Sequence, residues 1–304
     1  MSDITFEGRV AIVTGAGGGL GREHALLLAA RGAHVVVNDL GGSVDGQGAS
    51  SGPAQQVVDE ITAAGGVAVV DTNSVSSEEG GLAIVQTALD AFSRVDIIVN
   101  NAGILRDKSF GSMTPDMWDA VINVHLRGAY CVSRAAWPHL REQNYGRIVS
   151  TSSAAGIFGN FGQANYGAAK MGLVGLTRVL AQEGARNNIK VNAIAPVART
   201  RMTEDLLGPL ADKLDPSLVS PLVAYLASED CPLSGEVFSA GGGRVARIFV
   251  AEALGYFDPV LTPETVRDHV DVITSEEGYT VPRHAGDEIK LMLRTMSAVT
   301  EQRS

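Results

Sequence analysis

From Arg9 to Ala195, short apolar runs of strand length alternate with amphipathic stretches of helix length. Arg9–Thr14 precedes Leu20–Arg31, His34–Asp39 precedes Gln55–Ala64, and Val67–Asp71 precedes Leu82–Phe92. Val95–Asn100 then precedes Pro115–His139, which reads as one long helix or two, and Arg147–Ser152, Ala164–Arg186 and Ile189–Ala195 continue the alternation. A run such as Val35–Val37 has no polar face to turn to water. Strands of that kind need cover on both sides, which a parallel sheet between two helix layers provides. The expected fold class is therefore α/β, a doubly wound parallel sheet forming a single domain over residues 1–243. Residues 244–304 read as a C-terminal helical extension packed on it, with helical periods at Arg247–Leu254, Glu264–Val272 and Asp287–Met296. Two stretches interrupt the pattern. Leu40–Pro53 is a Gly/Ser-rich excursion longer than such links usually are, and Val197–Pro216 carries prolines and charge and reads as a mobile loop.

The first strand-to-helix link is Thr14-Gly15-Ala16-Gly17-Gly18-Gly19-Leu20-Gly21. Glycines let a backbone approach a pyrophosphate closely, and the helix start offers free N–H groups at a positive dipole end. The same string also suits a plain tight turn, so the context decides. Asp39 ends the second strand 18 residues after Gly21, where a dinucleotide-binding unit places an acid on the adenosine ribose diol. A carboxylate there repels a 2′-phosphate, and no Lys or Arg lies between Gly15 and Gly21 to attract one. The cofactor expected is NAD.

Tyr166 and Lys170 are spaced i, i+4 on a predicted helix and so share a face. Ser153 ends the fifth strand ahead of them, at the mouth of the sheet where such folds bind ligands. A phenol with a pKa of about 10 is a poor base at neutral pH, and a neighbouring ammonium favours its ionised form. Lys170 can play that part while holding ribose hydroxyls, Ser153 can fix the substrate oxygen, and Tyr166 can exchange the hydroxyl proton as hydride moves. Ser152 adjoins Ser153, and only the spacing to Tyr166 separates them.

The chain carries a net charge of −10 over 304 residues, which excludes a general nucleic-acid binder and is the wrong sign for an anionic membrane surface. Cys131 and Cys231 form neither a metal-ligand spacing nor a disulfide framework, so no metal is expected and the chain reads as intracellular, in the cytoplasm. No membrane-length apolar run, signal peptide or C-terminal address is visible.

Four motifs in order resemble the short-chain dehydrogenase/reductase family over residues 7–243: Thr14–Gly21, Asn100-Asn101-Ala102-Gly103, Ser153 with Tyr166-Gly167-Ala168-Ala169-Lys170, and Val191-Asn192-Ala193-Ile194-Ala195-Pro196. Within that family the chain is most similar to the (3R)-hydroxyacyl-CoA dehydrogenase group found in peroxisomal multifunctional β-oxidation proteins and bacterial homologues. Val35–Gly42, Asn100–Asp107, Phe110, Val124–Gly128, Tyr145–Arg147 and Gly159–Tyr166 carry the closer likeness, and the tail to about residue 298 shares it. The resemblance implies a Rossmann-type fold. It also implies that Gly15, Gly19, Leu20 and Gly21 hold the pyrophosphate, that Asn73, Ser74, Asn101, Ala102 and Gly103 lie along the adenosine, and that Pro196 and Val197 approach the nicotinamide amide. Tyr166 and Lys170 then serve both cofactor and catalysis.

There are departures. His125 stands where most of the family has an asparagine whose main chain holds a water linking the lysine to solvent. That backbone role can survive the change, and the side chain is either catalytic or a satisfied buried histidine. Asn73 replaces the usual aspartate near the adenine, and Val197 the usual glycine after Pro196. The expected activity is NAD-dependent hydride transfer on a secondary alcohol or ketone, a 3-hydroxyacyl-CoA of lipid metabolism. The alternatives are a hydroxysteroid or CoA-linked steroid-intermediate dehydrogenase and, from another class, a non-catalytic nucleotide-binding protein. Hydratase and carrier activities would have to come from separate partners. The resemblance implies a homodimer or homotetramer, and the small and apolar residues along Ala164, Ala168, Met171, Gly172, Gly175, Leu176 and Val179 suit such packing. The extension could cover its own substrate opening or a partner's.

Overall fold

A computed structural model describes residues 3–199 and 212–302, with side chains to residue 296. The loop expected over Val197–Pro216 therefore falls largely outside the described residues. The chain divides into two compact units, Met1–Arg247 and Ile248–Ser304.

The first unit is built on an eight-stranded sheet. Its strands are β1 (Val10–Thr14), β2 (His34–Asn38), β3 (Val67–Asp71), β4 (Ile97–Asn100), β5 (Gly146–Thr151), β6 (Ile189–Pro196), β7 (Val237–Gly241) and β8 (Arg244–Ile248). They lie in the order β3-β2-β1-β4-β5-β6-β7-β8, and β1 to β7 pair in parallel. The order reverses direction between β1 and β4. In an open α/β sheet the ligand crevice lies beyond the carboxyl ends of the strands at such a point.

The helices of this unit are α1 (Gly19–Ala30), α2 (Gly52–Ala63), α3 (Glu78–Phe92), α4 (Pro115–Ile122), α5 (Gly128–Glu142), α6 (Ala154–Phe158), α7 (Ala164–Gly184) and α8 (Ser220–Ala227). The sheet is buried on both faces, as its apolar runs require. Ala11, Val13, Val35 and Val37 pack with α1, α2 and α8 residues such as Leu28, Ile61 and Val223. Their neighbours Val10, Ile12 and Val36 pack on the opposite face with Ile84, Val132 and Leu140 of α3 and α5. The stretch read as one helix or two is two, joined by a wide π-type turn, Asn123–Arg127. His125 sits on that turn.

One expectation is corrected. Arg247–Leu254 is not helical. Gly242 and Gly243, with φ of +56° and +80°, turn the chain back after β7. Two consecutive left-handed residues are what a tight hairpin needs. Arg244–Ile248 then runs extended as β8 at the sheet edge, where Arg247 pairs with Glu236 at 2.7 Å. The second unit holds α9 (Pro263–Asp268), α10 (Val270–Ile273) and α11 (Ala285–Gln302). Thr262 caps α9 in a reciprocal box with Thr265, and Tyr256 stacks on His269 with centroids 4.0 Å apart. No helix among the described residues is long and apolar enough to cross a membrane.

His24 of α1 is fully buried, its Nδ1 2.7 Å from Ser220 Oγ at the start of α8 and its Nε2 without a partner. Burial pushes its pKa from 6.5 down to about 3. Between those values the unfolded chain holds a proton that the folded chain does not. The stability this confers is complete above pH 6.5 and is lost as pH falls toward about 3, at up to ~1.4 kcal/mol per pH unit. Denaturant titrations of His24→Asn should show an unfolding free energy whose acid-side slope is smaller by one proton. A slope equal to wild type would contradict this reading.

Candidate active site

The carboxyl ends of β1 and β4 are stitched together before any ligand is considered. Thr14 Oγ1 accepts from the backbone amides of Asn101 and Ala102 at 3.0 and 3.1 Å. Asn101 Nδ2 donates to the carbonyls of Thr14 and Gly15 at 3.0 and 3.1 Å. The glycines between β1 and α1 serve different ends. Gly15, at φ +64°, leaves no room for a Cβ, which would lie 2.7 Å from Ala102 Cα. A Cβ on Gly21 would lie 2.2 Å from Gly15 O, so Gly21 lets α1 close on the turn. Gly18 caps α1 with no side-chain bond, which leaves the first N–H groups of the helix for a ligand.

Asp39 follows β2, and its position is fixed by the same turn. Its Oδ2 accepts from Gly17 N at 2.8 Å and its Oδ1 from Gly41 N at 2.7 Å. Asp71 at the end of β3 is buried and takes four hydrogen bonds: from Asn38 Nδ2, Asn73 N, Asn73 Nδ2 and Thr87 Oγ1, at 2.7 to 3.0 Å. The Asn73 amide group is thus turned toward Asp71 with its nitrogen. The excursion after Asp39 is a strap that docks on the segment following β4: Leu105 N donates to Val44 O at 3.0 Å and Arg106 Nε to Asp45 O at 3.0 Å.

Ser153 begins α6, and its hydroxyl accepts from Ala155 N at 3.2 Å. It lines the same cavity as Tyr166. Ser152 is ruled out as its rival: it is fully buried, and its hydroxyl donates to Lys170 O at 2.8 Å. Burial raises the Tyr166 pKa, while the Ser153 hydroxyl acts to lower it. Lys170 donates to Thr151 O, and its Nζ lies 5.4 Å from the Tyr166 ring centroid. Burial pulls Lys170 from 10.5 down to about 7, so it is poised to give or take a proton near neutrality. His125 is buried, with Nε2 3.0 Å from Ile104 N and 2.8 Å from Ile104 O. Its ring meets Tyr166 edge-on at 5.2 Å, and burial followed by the nearby Lys170 charge keeps it neutral. This placement suits a support for Tyr166 rather than a proton donor.

Most of the predicted groups line one cavity of about 580 Å³, within the usual size range of small-molecule sites. Gly15, Gly19, Leu20, Asp39, Asn73, Ser74, Asn101, Ala102 and Gly103 lie along it, as do His125, Ser153, Tyr166, Lys170 and Pro196. Gly21 and Val197 are not on its lining. Gly21 packs beneath the turn, and the amide of Val197 is spent on Ala240 O at 2.8 Å. Sequence reasoning missed Thr14, Asp71 and Asn165. It also missed the strap residues Ser43, Val44 and Gly46, which line the cavity. Among the described residues no cluster of His, Cys, Asp or Glu could hold a metal ion.

A crevice at the strand-order reversal, a glycine cradle, an acid after β2 and a Ser–Tyr–Lys set together define a nucleotide-dependent dehydrogenase. The short chain dehydrogenase family model matches residues 9–208, and the chain belongs to that family of oxidoreductases. It is 51% identical over 296 residues to peroxisomal multifunctional enzyme A of Dictyostelium discoideum, which covers 97% of this chain and 66% of that one. It is 39% identical over 292 residues to a hydroxyacyl-CoA dehydrogenase, ChsB1, of Mycobacterium tuberculosis, covering 87% of this chain and 89% of that one. The solved full-length peroxisomal multifunctional enzyme type 2 of Drosophila melanogaster superposes with a TM-score of 0.82 at 39% identity, over 97% of this chain and 51% of that one. The chain thus spans about two thirds and about half of these two multifunctional proteins.

Proposed function

We propose that the chain is an NAD-dependent dehydrogenase acting on a 3-hydroxyacyl-CoA. The observation that carries the chemistry is that Ser153, Tyr166 and Lys170 line one cavity, with Lys170 one turn along the helix that bears Tyr166. The named activity of the mycobacterial relative, which is matched over most of its length, supports the substrate class. The residues present fit a dinucleotide: the uncapped start of α1 suits a pyrophosphate, and Asp39 suits a ribose diol. Lys170 and Tyr166 would hold the nicotinamide end. When bound, the nicotinamide supplies the hydride acceptor. Ser153 orients the substrate hydroxyl, and Tyr166 takes its proton. The Ser153 hydroxyl favours the phenolate that does this, and a protonated Lys170 on the same helix would favour it too.

The test is turnover of a panel with NAD: 3-hydroxyacyl-CoAs of several chain lengths, hydroxysteroids and steroid-ring CoA thioesters. The highest kcat/KM should fall on a 3-hydroxyacyl-CoA. A preference for the hydroxysteroids would overturn the substrate assignment.

Assembly as a homodimer or homotetramer belongs to the same proposal. Helix α7 buries Ala169, Leu173, Val174 and Thr177 in its own unit and exposes Ala168, Met171, Gly175 and Val179 on a second stripe. Open space faces Gly175, whereas Gly172 packs on Leu126. A small-residue stripe permits close approach of a twofold mate. Sedimentation at micromolar concentration should show at least a dimer, and Val179→Lys should weaken it. A fully active monomer would contradict the assembly.

A further inference from the structure

Asn165 precedes Tyr166, and its side chain is fully buried. Gln163, ahead of the first turn of α7, makes no side-chain cap. The backbone N–H of Tyr166 is one of the donors that a helix start leaves without a partner. Asn165 Oδ1 accepts it at 2.8 Å. The other end of the same amide, Nδ2, donates to Arg106 O at 3.0 Å and to Met117 O at 3.1 Å. One planar group thus joins the first turn of α7, the segment after β4, and α4. That segment after β4 also carries His125 through Ile104, and the His125 ring supports the Tyr166 ring. Ile104 and Arg106 therefore hold the tyrosine by two arms, one at its ring and one at its backbone.

Few side chains could replace Asn165. Aspartate would aim a carboxylate at two carbonyl oxygens, and glutamine would add a methylene where there is no room. Alanine would leave two buried carbonyls and an amide unpaired. The hold is local. Lys170, one turn further along, has its own anchor on Thr151 O, and Ser152 Oγ ties the Lys170 carbonyl at 2.8 Å. Loss of Asn165 would loosen the Tyr166 end of the helix and leave the Lys170 end in place.

We propose that Asn165 is a positioning residue for the reaction: it fixes the backbone at Tyr166 so that the phenol meets Ser153 and the reacting oxygen together. The inference rests on Tyr166 being the acid/base. The test is a double-mutant cycle on the full chain, with Asn165→Asp and Tyr166→Phe singly and combined, assayed with a medium-chain 3-hydroxyacyl-CoA and saturating NAD. Asn165→Asp should lower kcat ~10- to 100-fold, the scale set by a misplacement of about 1 Å. NAD affinity, measured by titration, should stay at the wild-type value. In the Tyr166→Phe background the same substitution should cause no further loss, because the group it positions is gone. An equal loss in both backgrounds would overturn the proposal, as would a wild-type kcat for Asn165→Asp in the otherwise intact enzyme. Should Asn165→Asp fail to fold, Asn165→Ser keeps a small acceptor near the Tyr166 amide and carries the same cycle. Undiminished turnover in Tyr166→Phe alone would instead overturn the assigned chemistry, which separates the two failures.

Discussion

Replacing Tyr166 with phenylalanine should lower turnover at least ~100-fold, the usual scale of a general acid/base contribution. The substitution removes one oxygen and keeps the ring that packs edge-on against His125 at 5.2 Å. The structure around it has little reason to move. Asp39, the start of α1 and Lys170 are untouched, so NAD affinity should change little beside the loss of turnover. Ser153 keeps its bond to Ala155 N. Steady-state kinetics and a nucleotide titration on the same preparation separate the two effects. Wild-type turnover in this variant would remove Tyr166 from the mechanism.

The second large effect concerns the choice of nucleotide. Asp39 cannot swing aside to admit a 2′-phosphate, because Gly17 N and Gly41 N hold its two oxygens at 2.8 and 2.7 Å. Like charges forced together cost several kcal/mol, so kcat/KM should favour NAD over NADP by ~100-fold or more. Asp39→Ser combined with Leu40→Arg should lower efficiency with NAD and raise it with NADP. Leu40 lines the same cavity and is half exposed, so an arginine there has room to reach the phosphate. The two glycine amides lose their acceptor in this variant, and some loss with both nucleotides is part of the expected result. A wild-type enzyme that prefers NADP would overturn the assignment of Asp39.

What the sequence made legible follows a physical rule. Motifs whose members are close along the chain could be read. The glycine turn is a single link between strand and helix. Tyr166 and Lys170 are one helical turn apart, and Asp39 lies at a fixed reach beyond the turn. The apolar alternation of β1 to β6 needed nothing beyond composition and period. Interactions that depend on which backbone groups the fold brings together could not be read. Asn165 is bonded to Arg106 and Met117, nearly fifty residues or more away, and nothing in its own surroundings announces it. Asp71 reads as an ordinary strand-end acid until Asn38 and Thr87 are seen converging on it. The strap looked only like a long loop, because its docking uses the carbonyls of Val44 and Asp45 rather than any side chain of its own. At Arg244–Ile248 a period of two competed with a helical period extending to Leu254. The Gly242–Gly243 turn decided between them, and its conformation was the signal overlooked.

The effect of burial on Tyr166 and Lys170 was likewise invisible in the spacing. From sequence, Lys170 served as a permanent ammonium that lowers the tyrosine. In the fold, burial draws Lys170 down to about 7 and moves Tyr166 up, and the Ser153 hydroxyl is the influence that favours the phenolate. Lys170 therefore changes charge near neutrality, whereas Tyr166 holds its proton until a ligand or a neighbouring charge favours the phenolate.

The most direct measurement is the reaction itself: purified protein, NAD and a medium-chain 3-hydroxyacyl-CoA, following reduced nicotinamide by absorbance and the acyl product by chromatography. The account predicts reduced nicotinamide and 3-oxoacyl-CoA appearing one for one, at a rate at least ~100-fold lower in Tyr166→Phe. Protein that binds NAD with wild-type folding yet forms neither product from any member of the alcohol panel would contradict it.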